Sequence, residues 1–260
     1  MALLEMRNVT LYFGGLRAVY NFNLSLHGGE LLALIGPNGA GKTTVFNMVS
    51  GFYRPTEGEI LFGRKPITGL RPHEVTALGI ARTFQNIRLW NSLTVFDNLC
   101  ISQHHQLGYG FFQAVLRTGK FKESERRVKA TAERLLDVLG LSHYAREYPK
   151  NLPYGLQRRL EIGRALSIRP ELLLLDEPAA GMNPGDVDHL IELIRWIREE
   201  FKLTIWLIEH HMRLVMNLCE FIKVVDFGET IAEGPPEAVR RNPRVVKAYL
   251  GEEETSDAAN

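Results

Sequence analysis

The sequence predicts an α/β fold with a helical insert, and three observations carry it. Short apolar runs bounded by glycine or polar residues recur along the chain, as expected of strands buried on both faces of a parallel sheet. A Gly-rich turn, "GPNGAGKT", joins the apolar run "LLALI" to the helical "TTVFNMVS". Between Gln85 and Leu152 strand signals stop and helical spacing takes over.

In chain order, residues 1–35 alternate apolar runs with Gly and Asn in "LLEMRNV", "NFNLSL" and "LLALI", and read as strands. The helix over 42–50 stops at Gly51, a residue that takes a left-handed cap. "EILF", "IARTF", "LLLLD", "LTIWLI" and "FIKVVD" are the further strands, read as members of a parallel sheet. Inside the insert, Val128, Ala132, Leu135, Leu136 and Leu139 share one helical face, which Gly140 ends. The stretch "HHQLGYGFFQAVLRTGKFKESE" shows no assignable element. From 186 to 200 a second stripe returns, formed by Val187, Leu190, Ile191, Ile194 and Ile197. The closing "EEETSDAAN" is acidic, small and polar, so residues 251–260 are expected to be disordered.

A chain of 260 residues can bury a substantial core, and its 45% hydrophobic content fits a soluble globular protein. Thirty-one basic and 30 acidic side chains leave a net charge of +1, so no global field favours nucleic acid or an anionic membrane. The doublets Arg126-Arg127, Arg158-Arg159 and Arg240-Arg241 read as solvated helix faces. Cys100 and Cys219 form no Cys-x-x-Cys, which points to a reducing, cytoplasmic compartment. Glu5 and Arg7 interrupt the first apolar stretch, so no signal peptide is expected. No apolar run approaches the roughly 20 residues that span a bilayer. Any membrane role is therefore expected to be peripheral, through a partner.

Residues 36–43 match G-x-x-x-x-G-K-[ST]. Glycines let successive amide N–H groups turn inward at a helix N-terminus and make an anion nest. In an average composition a chance match in a chain this long is about one in a hundred. The candidate phosphate-binding residues are Gly36, Pro37, Asn38, Gly39, Ala40, Gly41, Lys42, Thr43 and Thr44. Lys42 reaches for the β- and γ-phosphates, and the Thr43 hydroxyl is a ligand for Mg²⁺. Downstream, "LLLLDE" is a buried strand ending in two carboxylates: Asp176 to hold the Mg²⁺ through water, and Glu177 where a water attacks the γ-phosphate.

With these motifs in place, the order of the others resembles the ATP-binding cassette (ABC) transporter ATPases over nearly the whole chain. The resemblance implies ATP and Mg²⁺ as cofactors and a RecA-like P-loop core, with an N-terminal antiparallel β subdomain and an inserted helical subdomain at about 86–165. It implies that Gln85 in "RTFQNIRL" is the Q-loop glutamine, touching Mg²⁺ and water, and that His210 in "LIEHHM" is the switch histidine on the γ-phosphate. Phe13 in "LYFGGLRAV" falls where the family places an aromatic against adenine.

The family signature Leu-Ser-Gly-Gly-Gln corresponds to "LPYGLQ", that is Leu152, Pro153, Tyr154, Gly155, Leu156 and Gln157. In the family this segment caps a helix facing the γ-phosphate held by a second protomer, a use that suits a helix dipole with free amides. Gly155 and Gln157 keep the pattern; Pro153 removes a serine hydroxyl and an amide donor, and Tyr154 removes a small residue. The x-Tyr-Gly signature, "LLLLDEPAAGMNP" with Asn183, and "GPPEAVRRNPRVVKAYLGEE" resemble the first (LivG-type) ATPase subunit of branched-chain amino-acid importers. That subgroup implies one cassette domain over 1–250, with a family extension at about 234–252. It also implies integral membrane permease subunits, a second cassette as homo- or heterodimer, an extracytoplasmic substrate-binding protein reached indirectly, and a place on the cytoplasmic face of the membrane. Lipopolysaccharide-export ATPases share several motifs and form the alternative, ahead of non-transport cassettes. A GTPase is disfavoured because no Asn-Lys pair occurs in the chain.

Overall fold

In the computed structural model, which describes residues 1–104 and 107–249, the strands form two sheets and the helices between residues 83 and 170 form a unit of their own. The first unit begins with β1 (Ala2–Phe13), β2 (Leu16–His27), β3 (Leu31–Ile35), α1 (Lys42–Val49), β4 (Glu57–Phe62), β5 (Lys65–Pro66), α2 (Pro72–Ala77) and β6 (Ile80–Arg82). The second unit, Thr83–Pro170, carries α3 (Val95–Ile101), α4 (Phe111–Val115), α5 (Gly119–Val138) and α6 (Tyr154–Leu166). The first unit resumes with β7 (Leu172–Asp176), α7 (Pro184–Phe201), β8 (Thr204–Ile208), α8 (Met212–Leu218), β9 (Phe221–Asp226), β10 (Glu229–Gly234) and α9 (Pro236–Arg240).

The larger sheet runs β10-β9-β3-β8-β7-β6, with β10 antiparallel to β9 and the other pairings parallel. All five residues of β3, β7 and β8 are buried, which is why these strands read as unbroken apolar runs. The smaller sheet, β2-β1-β4-β5, is antiparallel throughout. Two expectations need correction. "EILF" is not in the parallel sheet, because β4 pairs antiparallel with β1. The strand begun by "IARTF" ends at Arg82. The polar β10 and the one-and-a-half-turn α2 carried no apolar pattern to announce them.

Within the first unit, α1 lies in the core shared by both sheets. Leu4, Phe22 and Leu26 of the antiparallel sheet, Val45, Phe46 and Val49 of α1, and Leu34, Trp206 and Ile208 of the parallel sheet belong to one buried cluster. Trp206 is its hub, with the Phe46 ring edge-on at 4.9 Å and the Phe22 ring stacked at 6.4 Å. Such aromatic pairs add about 0.5–1.5 kcal/mol beyond the area they bury. The stripe Val187, Leu190, Ile191, Ile194 and Ile197 is the buried face of α7, as its spacing predicts. The helices α1 and α5 stop before Gly51 and Gly140, both in left-handed backbone.

In the second unit, Ala132, Leu135, Leu136 and Leu139 are buried and Val128 is half-buried. The stretch left unassigned supplies α4 and the start of α5, with residues 105–106 outside the described part. The tail 251–260 also lies outside it. Cys100 and Cys219 are free thiols, and burial pushes that of Cys100 up to about 11. Among the described residues no helix is long and apolar enough to cross a membrane.

Gly163 of α6 faces Leu99 of α3 and Leu139 at the end of α5. A Cβ there would lie 2.3 Å from Leu139 Cδ1 and 3.1 Å from Leu99 Cδ2, and both leucines are fully buried. Overpacking costs about 1–3 kcal/mol and alanine returns about 1 kcal/mol of helix propensity. Gly163→Ala is therefore expected to lower stability by about 1 kcal/mol in denaturant unfolding; a more stable variant would contradict this packing.

Candidate nucleotide site

The phosphate loop spans the gap between β3 and α1 and is shaped by its neighbours. Gly36 has φ 152°, and a Cβ on it would lie 2.0 Å from the Val225 carbonyl oxygen, so no other residue fits. The Gly228 N–H donates to Ala40 O at 3.1 Å, and the Tyr20 N–H of β2 donates to Gly228 O at 2.8 Å, which ties the loop to the β9–β10 turn and to β2. Gly41 is the N-cap of α1, and no side chain caps that helix. Its first-turn amides and dipole are therefore available to an anion. Lys42 is buried, its Nζ 2.6 Å from Gly36 O and 2.7 Å from Pro37 O. Thr43, Asn38 and Gly39 are exposed, Thr44 and Gly41 half-buried, Pro37 and Ala40 buried.

Asp176 ends β7 and Glu177 follows it, in different settings. Asp176 is buried in an ion pair with Arg82 of β6, 2.7 Å apart, the two side chains 3% and 6% exposed. Arg82 also donates to Asn47 Oδ1 at 2.8 Å and Ser50 Oγ at 3.1 Å, so it ties the second carboxylate strand to α1. Glu177 has φ 46°, a left-handed backbone that costs a non-glycine residue on the order of 1–3 kcal/mol. Its N–H donates to Ile208 O of β8 at 2.9 Å, and this bond helps hold it there. The Glu177 Oε2 stands 3.7 Å from His210 Nδ1, too long for a direct hydrogen bond but short enough for one water to reach both. Glu177 is mostly buried and His210 half-exposed. Phe13 is not a core residue: it is 44% exposed at the end of β1, edge-on to Tyr53 at 5.2 Å.

The remaining predicted residues lie in the second unit. Gln85 is exposed, and its carbonyl oxygen accepts from Arg158 Nη2 at 2.9 Å. Arg158 also donates to Phe84 O at 2.8 Å and pairs with Glu161 at 2.6 Å. One Glu161 oxygen accepts the N–H groups of Phe84 and Arg88, both at 3.3 Å. Thus α6 grips the main chain on both sides of Gln85 through one buried pair. Burial pushes the Glu161 carboxyl above its usual range, opposed by the Arg158 charge. This corrects the expectation that Arg158 is a solvated face: it is fully buried, and its doublet partner Arg159 half-buried.

The segment 152–157 forms the start of α6. Pro153 is the N-cap and supplies no side-chain cap, so the first-turn amides of Tyr154 and Gly155 are left to other partners. Leu152 is buried and Tyr154 is 41% exposed, its hydroxyl accepting from Arg158 at 3.1 Å. The reading of Gln157 as keeping the signature glutamine is also corrected. Counted from Leu152, the fifth place is Leu156, and the Gln157 amide turns back to donate to Leu152 O at 2.9 Å. Asn183 caps α7, accepting the Asp186 N–H at 2.9 Å.

A strand, a Gly-rich loop, an uncapped helix and a second strand ending in two carboxylates define a phosphate-loop nucleoside triphosphatase. The family described as "ABC transporter" matches residues 19–180, and "Branched-chain amino acid ATP-binding cassette transporter" matches residues 229–255. The chain is 47% identical over 250 residues to the high-affinity branched-chain amino acid transport ATP-binding protein LivG of Escherichia coli K12, covering 96% of this chain and 98% of that one. It is 45% identical to BraF of Pseudomonas aeruginosa, described in the same words, with the same coverage. The ADP conformation of MJ1267, an ATP-binding cassette of an ABC transporter, superposes with a TM-score of 0.84 at 31% identity, over 96% of this chain and 99% of that one. The chain belongs to the ABC transporter family, as an ATPase cassette.

Arg82, Arg158 and Glu161 escaped the sequence reading because a charge in an apolar-patterned segment reads as exposed. Removing one partner of a buried pair strands the other, at a cost of about 3–5 kcal/mol. Arg82→Ala is expected to lose that much stability in denaturant unfolding, and Asp176→Asn in the same chain to restore part of it. Wild-type stability in Arg82→Ala would mean the pair contributes nothing.

Proposed function

We propose that this chain is the ATP-hydrolysing subunit of an importer for branched-chain amino acids, acting through separate membrane subunits. The observation that carries the substrate class is the match of residues 229–255 to the branched-chain cassette family, beside full-length identity to two proteins bearing that description. In this reading one cassette domain spans 1–250, with the helical subdomain inserted at about 86–165, an extension at about 234–252, and Phe13 against adenine. The cassette sits on the cytoplasmic face of the membrane, with a substrate-binding protein delivering cargo on the other side.

Two cassettes close head to tail, each ATP between the phosphate loop of one and the Pro153-Tyr154-Gly155 turn of the other. A dimeric cassette with ADP and phosphate bound, MJ0796, which is 25% identical with a TM-score of 0.75, supports pairing. Lys42 and the amides of residues 39–44 bind the phosphates. Glu177 takes a proton from the attacking water, and His210, within reach of the same water, holds the γ-phosphate. Among the described residues no group of three or more His, Cys, Asp or Glu could hold a metal by itself. The oxygen donors Thr43, Gln85 and Asp176 suit Mg²⁺ arriving with the nucleotide, where it would neutralise phosphate charge.

Glu177→Gln is expected to bind ATP yet hydrolyse it at least about a hundredfold more slowly, and to form an ATP-dependent dimer by light scattering. Gly155→Asp, which sets a carboxylate toward the γ-phosphate, should abolish that dimer; an undiminished dimer refutes the role given to residues 152–157. Cells carrying Lys42→Ala should lose high-affinity uptake of labelled leucine, isoleucine and valine. Unchanged uptake, with no second copy of the gene, would leave the ATPase in place and move the substrate to another class, lipid export first.

A further inference from the structure

Glu209 lies between β8 and α8, one place before His210, and is fully buried. Its Oε2 accepts the main-chain N–H groups of His210 and His211, each at 2.9 Å. Its Oε1 accepts the N–H of Ala179, two residues beyond Glu177, at 2.8 Å. Carboxylate acceptors hold amide donors about twice as strongly as neutral ones. The side chain therefore bridges two stretches of main chain that leave the sheet side by side.

The position of this bridge matters. The β7–β8 register ends at Asp176 opposite Ile208. Beyond it the Glu177 N–H still donates to Ile208 O at 2.9 Å. Past that bond, the segment 178–182 turns on itself through Ala180 N–H to Glu177 O and Met182 N–H to Ala179 O. The chain carrying His210 turns into α8 with no side-chain cap. The Glu209 carboxylate joins the two, three N–H groups on two oxygens, at His210 itself and two residues beyond Glu177, whose side chains stand 3.7 Å apart.

We propose that Glu209 is a positioning residue for hydrolysis, whose carboxylate sets the separation of Glu177 and His210 by holding the main chain on both sides. The inference rests on the assignment of those two residues to the attacking water and the γ-phosphate. Glu209→Gln keeps the volume but offers one acceptor oxygen. Its NH₂ must face either the Ala179 N–H or the two histidine N–H groups, donor against donor, so one of the two stretches is released.

The test is steady-state hydrolysis by the purified full-length chain, with ADP binding and a thermal melt on the same samples. For Glu209→Gln, kcat should fall about ten- to hundredfold, the scale of a small misplacement of reacting groups. KM for ATP and the affinity for ADP should stay within about twofold, because the phosphate loop is untouched. A kcat within about twofold of wild type would overturn the role, as would a parallel loss of kcat, ADP affinity and melting temperature, which marks general loosening. Should Glu209→Gln fail to fold, Glu209→Asp decides: one methylene shorter, it reaches a single side, and the same kcat loss is expected, whereas wild-type turnover refutes the bridge. Glu177→Gln and His210→Ala run alongside. If they hydrolyse ATP normally, the catalytic assignment fails and this inference with it; if they are inactive while Glu209→Gln is unimpaired, only the role of Glu209 falls.

Discussion

A side chain on Gly36 would collide with the main-chain oxygen of Val225, so β3 and β9 leave space for a bare backbone and nothing more. That steric limit decides where the phosphate loop runs, and the loop decides where α1 begins. Because α1 is packed between the two sheets through Phe46 and Trp206, its N-terminus is delivered to one place at the carboxyl ends of the parallel strands. The uncapped first turn then offers amides and the positive end of the helix dipole to an anion, with Lys42 held at the loop by two carbonyl oxygens. The groups offered to an anion here are mostly backbone, organised by packing at a distance.

Buried charge is the second theme. Arg82–Asp176, Arg158–Glu161 and Glu209 are all withdrawn from water, and each finds ionic or amide partners. Replacing a buried ion pair by apolar residues of equal volume is often neutral or stabilising, so stability alone does not account for the two pairs. Each sits instead next to a stretch with a residue to which the proposed mechanism gives a role. Arg82 ties Asp176 to α1, Arg158 and Glu161 grip the chain around Gln85, and Glu209 joins the chains bearing Glu177 and His210. The left-handed backbone of Glu177 belongs to the same pattern: a strained residue is held in place by a neighbouring strand.

The strands β3, β7 and β8 were legible because five consecutive buried residues leave an uninterrupted apolar run, and α7 because its stripe repeats at helical spacing. The phosphate loop was legible because its geometry demands glycine at fixed places. The polar edge strand β10 and the short α2 carry no such period, and the apolar run of β4 could not say whether its neighbour was parallel or antiparallel.

What the sequence determined by itself was whatever depends on residues close in the chain: periodicity, turn chemistry, the strand–loop–helix phosphate motif, and the order of motifs that marks the ABC family. Tertiary structure alone decided which charges are buried and which distant segments they hold. Arg82 and Asp176 are 94 positions apart, and Arg158 and Gln85 are 73 apart. No local pattern encodes such pairings, because the desolvation that makes a partner necessary exists only once the two segments have packed.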